Sequence, residues 1–442
     1  MNPDPTPMVP PRPLPRDFLT TWLRIGATGF GGPSGQIALM HDELIERRGW
    51  LSEAAFRHAL GYCMVLPGPE AQQLATYLGW LLYGPAGGMA AGLLFILPGL
   101  LLVLGLSWLI VGWGHLPALG AALAGLKPAV VVLVASAAWR MCRRLQPRET
   151  LIAAAALAAT LSGLLHFAAI IGAAALAGWL LMRGGSTGPA LAGRDADTGC
   201  LPKPWGAAPA SGADGHLSLL RLLGSGALAL LVWTVCRWGI AHTGPELLGE
   251  LADFFTRAAL VTFGGAYAVL PYVFEVAVRE AHWLSPAQMI DGLALGETTP
   301  GPLILVNSYI GFVAGWNAGG GAAGLALAAA LVVTLFTFLP SFAFILIGAP
   351  WVERSRDLVW LQAPLCGISA AVAGLVTALG LTFAAHVLWP NGWIEAHPSG
   401  GIDPRAAALL ATLAMLRWQL SLSGARLVIA GAVLGTALGL LT

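Results

Sequence analysis

Two proline-flanked glycines, Pro67-Gly68-Pro69 and Pro300-Gly301-Pro302, stand inside long apolar stretches of this chain. Proline removes a backbone donor and blocks the hydrogen bond one turn back, so two prolines around a glycine break a helix. Broken backbone at membrane depth is tolerated only where protein or a water-filled cavity satisfies it. Each break exposes helix ends, and an N-terminal end offers free N–H groups and the positive end of a dipole, a setting that suits an anion. Gln72, Gln73, Thr298, Thr299, Asn307 and Ser308 surround the breaks. They are neutral groups able to replace an oxyanion's water shell. Glu70 follows the first break and Glu297 precedes the second. Carboxylates inside spans are candidates for carrying a proton or pairing with arginine; a solvated loop end would hold them equally well. Arg24 and Arg257 lie about two turns before Phe30-Gly31-Gly32 and Phe263-Gly264-Gly265. Their donor forks suit an oxyanion, and their place near span starts also suits snorkelling to the interface. Gly31, Gly32, Gly264 and Gly265 let backbone approach a ligand, or one helix approach another.

These residues come in pairs because the chain repeats itself. At an offset of 233, Arg24 matches Arg257, Trp50-Leu51-Ser52 matches Trp283-Leu284-Ser285, and both glycine motifs match. Of the 46 ungapped positions from Arg24 to Pro69, 12 are identical, against about 4 expected by chance for such a composition. The correspondence resumes at an offset of 242, with Leu97-Pro98 on Leu339-Pro340 and Gly125 on Gly367. The copies differ in detail. Pro33 and Ser34 follow the first glycine pair where Ala266 and Tyr267 follow the second, and Leu303-Ile304-Leu305 makes the second break less polar.

The elements carrying these motifs are membrane helices. Of 442 residues, 57% are hydrophobic and only 10% charged, well below the charged fraction of a soluble domain. A net charge of +1 offers no field for nucleic acid. Five scattered cysteines form neither a disulfide framework nor a zinc site. A span needs about 20 apolar residues. Spans are expected near 18–40, 56–82, 86–112, 117–139, 150–165 and 168–182, then near 217–240, 251–273, 288–313, 321–348, 358–387, 405–420 and 424–441. That is 13 helices, or as few as 11 if the short final pair in each half is one tilted helix. The expected organisation is a disordered, Pro-rich lead-in over 1–17, with no cleavable signal peptide. A first transporter repeat follows over 18–183, then a cytoplasmic linker over 184–216, an extra helix over 217–240 and a second repeat over 251–442.

With the N-terminus inside, Arg140, Arg143, Arg144, Arg148, Arg183, Arg194, Lys203, Arg354 and Arg356 all fall on the cytoplasmic side. The segment 41–57 is the exception. There Arg47, Arg48 and Arg57 are balanced by Asp42, Glu43, Glu46 and Glu53, as suits an interfacial or re-entrant piece. Six spans before the linker and one extra span after it turn the second repeat upside down. The fold class expected is therefore an all-α polytopic membrane protein with two homologous halves as an inverted-topology repeat.

Other residues carry less. Lys127, beside Pro128, lines a path or serves structure, and the second copy has Ser369 in its place. The histidines sit near span ends and none has a ligand spacing such as H-E-x-x-H; the seventeen tryptophans suit interfacial belts. No G-x-x-x-x-G-K-[ST] is present, and no catalytic residue, metal or cofactor is expected.

The motifs F-G-G-P (30–33), H-D-E-L…R-R-G-W-L-S (41–52), L-P-G-P-E-A-Q-Q-L-A-T-Y-L-G-W (66–80) and T-P-G-P (299–302) resemble the chromate ion transporter family, over nearly the whole length. The resemblance implies a bacterial inner-membrane exporter of chromate, with sulfate as competing oxyanion and two halves of opposite orientation. Arg24, Gly31, Gly32, Pro67, Gly68, Pro69 and Glu70 fall on the family's first-half motif positions. The expected substrate-binding set is these residues (Glu70 apart) with Gln72, Arg257, Gly264, Gly265, Thr299, Pro300, Gly301 and Pro302. Glu70 and Glu297 are expected to couple protons or pair with arginine. The expected partners are chromate, the lipid bilayer and a second copy of the chain in a homodimer. A sulfate or other oxyanion transporter, proton-coupled, is the alternative; a membrane-embedded enzyme and a passive channel are the other classes.

Overall fold

The computed structural model describes residues 13–114, 116–163, 165–182, 215–263, 265–352, 359–389 and 402–440. Most of the expected lead-in and linker, and Gly264 of the second glycine pair, lie outside the described residues. The chain is all-α among them, in sixteen α-helices.

The first repeat begins with α1 (Pro15–Thr28) and α2 (Gly32–His41), followed by a π-helical turn at Asp42–Arg47. Then come α3 (Glu53–Cys63), α4 (Glu70–Trp113), α5 (Pro117–Cys142), α6 (Pro147–Ser162) and α7 (Phe167–Met182). After α8 (Gly215–Thr243) the order returns: α9 (Glu246–Leu260), α10 (Ala266–Phe274), a second π-helical turn at Glu275–Glu280 and α11 (Pro286–Thr298). A short 3-10 turn at Leu303–Leu305 leads into α12 (Val306–Ala318), α13 (Ala323–Val352), α14 (Val359–Leu388), α15 (Pro404–Gln419) and α16 (Gly424–Leu440).

Several expected spans resolve into pieces. Residues 18–40 form two helices, because the backbone leaves the helix at Gly29 and Gly31 takes a φ of 93°. Residues 251–273 break in the same way between α9 and α10. The expected spans 56–82 and 288–313 are each cut by their Pro-Gly-Pro. Helix α4 carries non-helical backbone at Tyr83 and Gly84, the point where one expected span hands over to the next. The final pairs are separate helices, α6 and α7 turning at Gly163 with φ 65°. Among the described residues, five helices are long and apolar enough to cross a membrane alone, in α4, α5, α8, α13 and α14. The two π-helical turns occupy equivalent repeat positions and gave no sequence signal.

The two repeats interlock. Helix α14 of the second repeat packs against α6 and α7 of the first, while α5 of the first packs against α15 and α16 of the second. The contacts are reciprocal, as a two-fold axis requires. Gly125 on α5 meets the backbone of Gly431 and Gly435, and its repeat partner Gly367 on α14 meets the backbone of Ala174 and Gly178. Small residues four apart let helix axes approach where lipid supplies no hydrophobic drive. Without a Cβ, each glycine lets the facing carbonyl sit in van der Waals contact. Gly125→Leu and Gly367→Leu should each force these helices apart. A lowered thermal midpoint and reduced membrane abundance are the expected results; the same change at Gly172, whose Cβ position is open, should leave both unchanged.

Candidate functional site

The four interruptions meet in crosswise pairs. The Gly68 N–H of the first Pro-Gly-Pro donates to the Thr262 carbonyl before the second glycine pair, at 2.7 Å. The Gly301 N–H of the second Pro-Gly-Pro donates to the Gly29 carbonyl before the first, at 3.1 Å. Gly68 and Gly301 are repeat equivalents, and so are Gly29 and Thr262. Each repeat thus satisfies the broken backbone of the other, the requirement that lipid imposes. The arrangement extends outward at the same symmetry. A Cβ on Gly68 would meet Ser341 Oγ at 2.5 Å, and Gly301 lies 3.6 Å from the Gly99 Cα by the same measure. Ser341 and Gly99 each follow the proline of the matching Leu-Pro pairs on α13 and α4.

Side chains complete the seam unequally. Gln36 of α2 donates its amide to Gly301 O at 2.5 Å and to Gly29 O at 3.1 Å. Gln73 donates to Pro67 O at 2.7 Å, and Gln72 to Thr76 Oγ1 at 2.9 Å. The remaining oxygens of Gln36, Gln72, Gln73 and Asn307 are buried with no hydrogen-bond partner, as is Ser341 Oγ. Buried unsatisfied polar atoms are uncommon and call for a ligand or water. The unpartnered amide atoms are acceptors and call for a donor such as water. Gln72 and Gln73 each use one amide N–H in these bonds and have a second to offer an anion, whereas Gln36 uses both of its own.

The predicted residues fall in distinct places. Gly68, Pro69, Gln72, Thr299, Pro300, Gly301 and Pro302 are buried at the breaks, and Pro67 is half-buried. Gly31 and Gly32 have positive φ and face open space, while Gly265, with φ 94°, is buried. The Glu70 carboxylate lies 3.7 Å from the Cβ position of Gly265, at the start of α10, so an acidic side chain of the first repeat sits by a helix N-terminus of the second. Glu297 accepts the Tyr267 hydroxyl, with Arg140 and Arg417 in electrostatic range. The repeat arginines lie on exposed faces. Arg24 faces Glu43 at 3.8 Å, and Arg257 Nε donates to the Asp253 carbonyl at 3.2 Å. Glu43 gathers Arg24, Arg47 and Arg48 at once. Burial alone would raise its carboxyl, but the Arg48 hydrogen bond and the three guanidinium charges hold it below the ordinary glutamate value.

The sequence reading passed over Gln36, Ser341, the acceptors Gly29 and Thr262, and Asp291. Asp291 is buried on α11 and pairs with Lys127 at 3.9 Å. A lone carboxylate in an apolar run was the available signal, and its distance from either proline motif obscured it.

Against known families, the chromate transporter model matches residues 16–179 and again residues 249–436. The chain belongs to the chromate transporter family. Both members of every crosswise pair lie inside the two matched segments, so the seam is built from family sequence on both sides. Among curated relatives, a chromate transport protein of Cupriavidus metallidurans is 28% identical over 95% of this chain and 92% of its own length. One from Pseudomonas aeruginosa is 32% identical over 85% and 82%. An uncharacterized transporter of Methanocaldococcus jannaschii is 23% identical over 85% of this chain and 86% of its own. No solved structure matches.

Gly68 and Gly301 test the seam. Both hold positive φ, 127° and 88°, which costs a residue with a Cβ roughly 1–2 kcal/mol. Gly68 also lacks room, whereas Gly301 has its nearest neighbour, Leu305 Cδ1, at 3.3 Å. Gly68→Ala should lower the thermal midpoint more than Gly301→Ala, and both should lower it more than Ala substitution at Gly61, where space is open.

Proposed function

We propose that this protein is a secondary transporter that exports chromate across the bacterial inner membrane. The observation that carries the reading is the reciprocal hydrogen bonding of the two Pro-Gly-Pro breaks. A membrane-buried seam of broken helices shared by two repeats is where transporters of this architecture place an ionic substrate. The relatives named as chromate transport proteins supply the substrate. The anion sits among the helix starts at the breaks, held by backbone N–H groups at Gly31, Gly32 and Gly265 and by the second amide N–H of Gln72 and of Gln73, while Gln36 braces the backbone at Gly29 and Gly301. Thr299 and the Pro-Gly-Pro segments, Pro67 to Pro69 and Pro300 to Pro302, shape its walls. Arg24 and Arg257, both exposed, act at the approaches, where they draw a dianion inward. Glu70 and Glu297 are the carboxylates available for proton coupling.

The N-terminus is cytoplasmic, the second repeat is inverted relative to the first, and rocking of one repeat against the other alternates access. The chain works in the bilayer without a cofactor, as a homodimer, and sulfate competes because it shares charge and shape with chromate. Moving two negative charges out of an inside-negative cell is downhill by roughly 4.6 kcal/mol per 100 mV, so the membrane potential alone drives export. Transport of sulfate or another oxyanion, coupled to protons, is the second reading; the half-buried carboxylates of Glu70 and Glu297 favour it.

The deciding measurement is radiolabelled chromate and sulfate flux in proteoliposomes, with an imposed potential of each sign and with or without a pH gradient. Saturable chromate flux that reverses with the potential is expected. Flux that follows only the pH gradient, or only sulfate, would favour the second reading; flux without saturation would mean a channel. Arg24→Ala should cut chromate efflux from inverted vesicles at least tenfold at low concentration with abundance intact. Full efflux in that variant would remove the arginine from the pathway.

A further inference from the structure

A charge pair away from the breaks joins the two repeats. Lys127 on α5 places Nζ 3.9 Å from Oδ1 of Asp291 on α11. That separation is too long for a hydrogen bond, and Oδ1 of Asp291 has no other partner. Tyr309 on α12, fully buried and within electrostatic reach of Asp291, leaves its hydroxyl unpartnered as well. The aspartate side chain is 9% exposed and the lysine 30% exposed. The cation therefore opens outward while the carboxylate and the phenol stand behind it.

The position follows from the helix register. Lys127 lies beside Asp291, and six residues further on in each helix Leu133 and Glu297 both border the Cβ position of Gly424. Helices α5 and α11 therefore run in parallel, and the pair sits about two turns before the second break. Repeat symmetry does not demand it: Ser369 stands where Lys127 does, and His58 where Asp291 does. A buried ion pair that lacks its hydrogen bonds stabilises a fold weakly. A buried carboxylate oxygen and a buried hydroxyl without partners, beside a lysine that is 30% exposed, fit a ligand better.

We propose that Lys127 is an anion-binding residue on the substrate path and that Asp291 is its built-in counter-ion. The carboxylate holds the lysine in the empty protein. A tetrahedral dianion takes the carboxylate's place, and the Tyr309 hydroxyl donates to one of its oxygens. This rests on the oxyanion-transport reading and adds a second station to it, apart from the seam.

Equilibrium binding of radiolabelled chromate to the purified full chain in nanodiscs tests it, with the gel-filtration profile and thermal midpoint of every variant recorded. Asp291→Asn removes the competing charge and should tighten chromate binding about tenfold or more. Lys127→Gln should weaken it by a similar factor, and Lys127→Arg should retain it within a few fold. The exchange of Lys127→Asp with Asp291→Lys keeps a pair but moves the cation inward, and should bind as poorly as Lys127→Gln. A purely structural pair behaves oppositely: Asp291→Asn leaves binding unchanged or weaker and the exchange restores it, which overturns the proposal. If Asp291→Asn does not fold, equal affinity in Lys127→Arg and Lys127→Gln overturns it as well. A wild type that binds no chromate removes the transport reading itself, whereas wild-type binding unaltered in all variants removes only this inference.

Discussion

Lipid cannot hydrogen-bond to a peptide group, and the architecture of this protein follows from that constraint. Four interruptions place N–H and C=O groups outside any helix. The first Pro-Gly-Pro finds its acceptor at Thr262 and the second finds its acceptor at Gly29. Side chains of the same repeat satisfy part of each break at Gly29 and Pro67, but the Gly68 and Gly301 N–H groups find their acceptors in the other repeat, which ties the two together. The outer helices repeat the same exchange, with α5 gripped by α15 and α16 and α14 by α6 and α7. Interlocked halves with shared broken backbone surround a polar seam.

Around that seam, symmetry of backbone coexists with asymmetry of chemistry. Glu70 sits by the start of α10, and its repeat equivalent is Leu303. Gln36 ties Gly29 to Gly301, and its equivalent is Val269. Lys127 and Asp291 correspond to Ser369 and His58. Duplication supplied two equal sets of hydrogen-bonding breaks, and side chains then divided the work between them. Charges on both sides of the seam would repel or neutralise one another at short range in a medium of low dielectric. One acidic start and one apolar start avoid that cost.

Much of this was legible in the residues. The Pro-Gly-Pro motifs announced breaks at 67–69 and 300–302 because proline's missing donor acts locally, whatever surrounds it. The all-α membrane class followed from composition. The glycine pairs announced a helix end, and the structure adds that new helices begin there, at Gly32 and at Ala266. Less was legible in the partners. Arg24 and Arg257 matched in position, yet nothing local shows that one faces Glu43 and the other its own backbone. Asp291 looked like one acid in an apolar helix until α5 brought Lys127 beside it.

The sequence by itself determined where the chain must leave the helix, that it does so twice in the same way, and that it lives in lipid. These are properties of single residues and of short-range backbone sterics. Only the tertiary structure decided which break pairs with which carbonyl, which helices exchange between repeats and which buried charges meet. Those choices join residues more than a hundred positions apart, where register, crossing geometry and the space left by a missing Cβ select among partners that the sequence leaves equivalent.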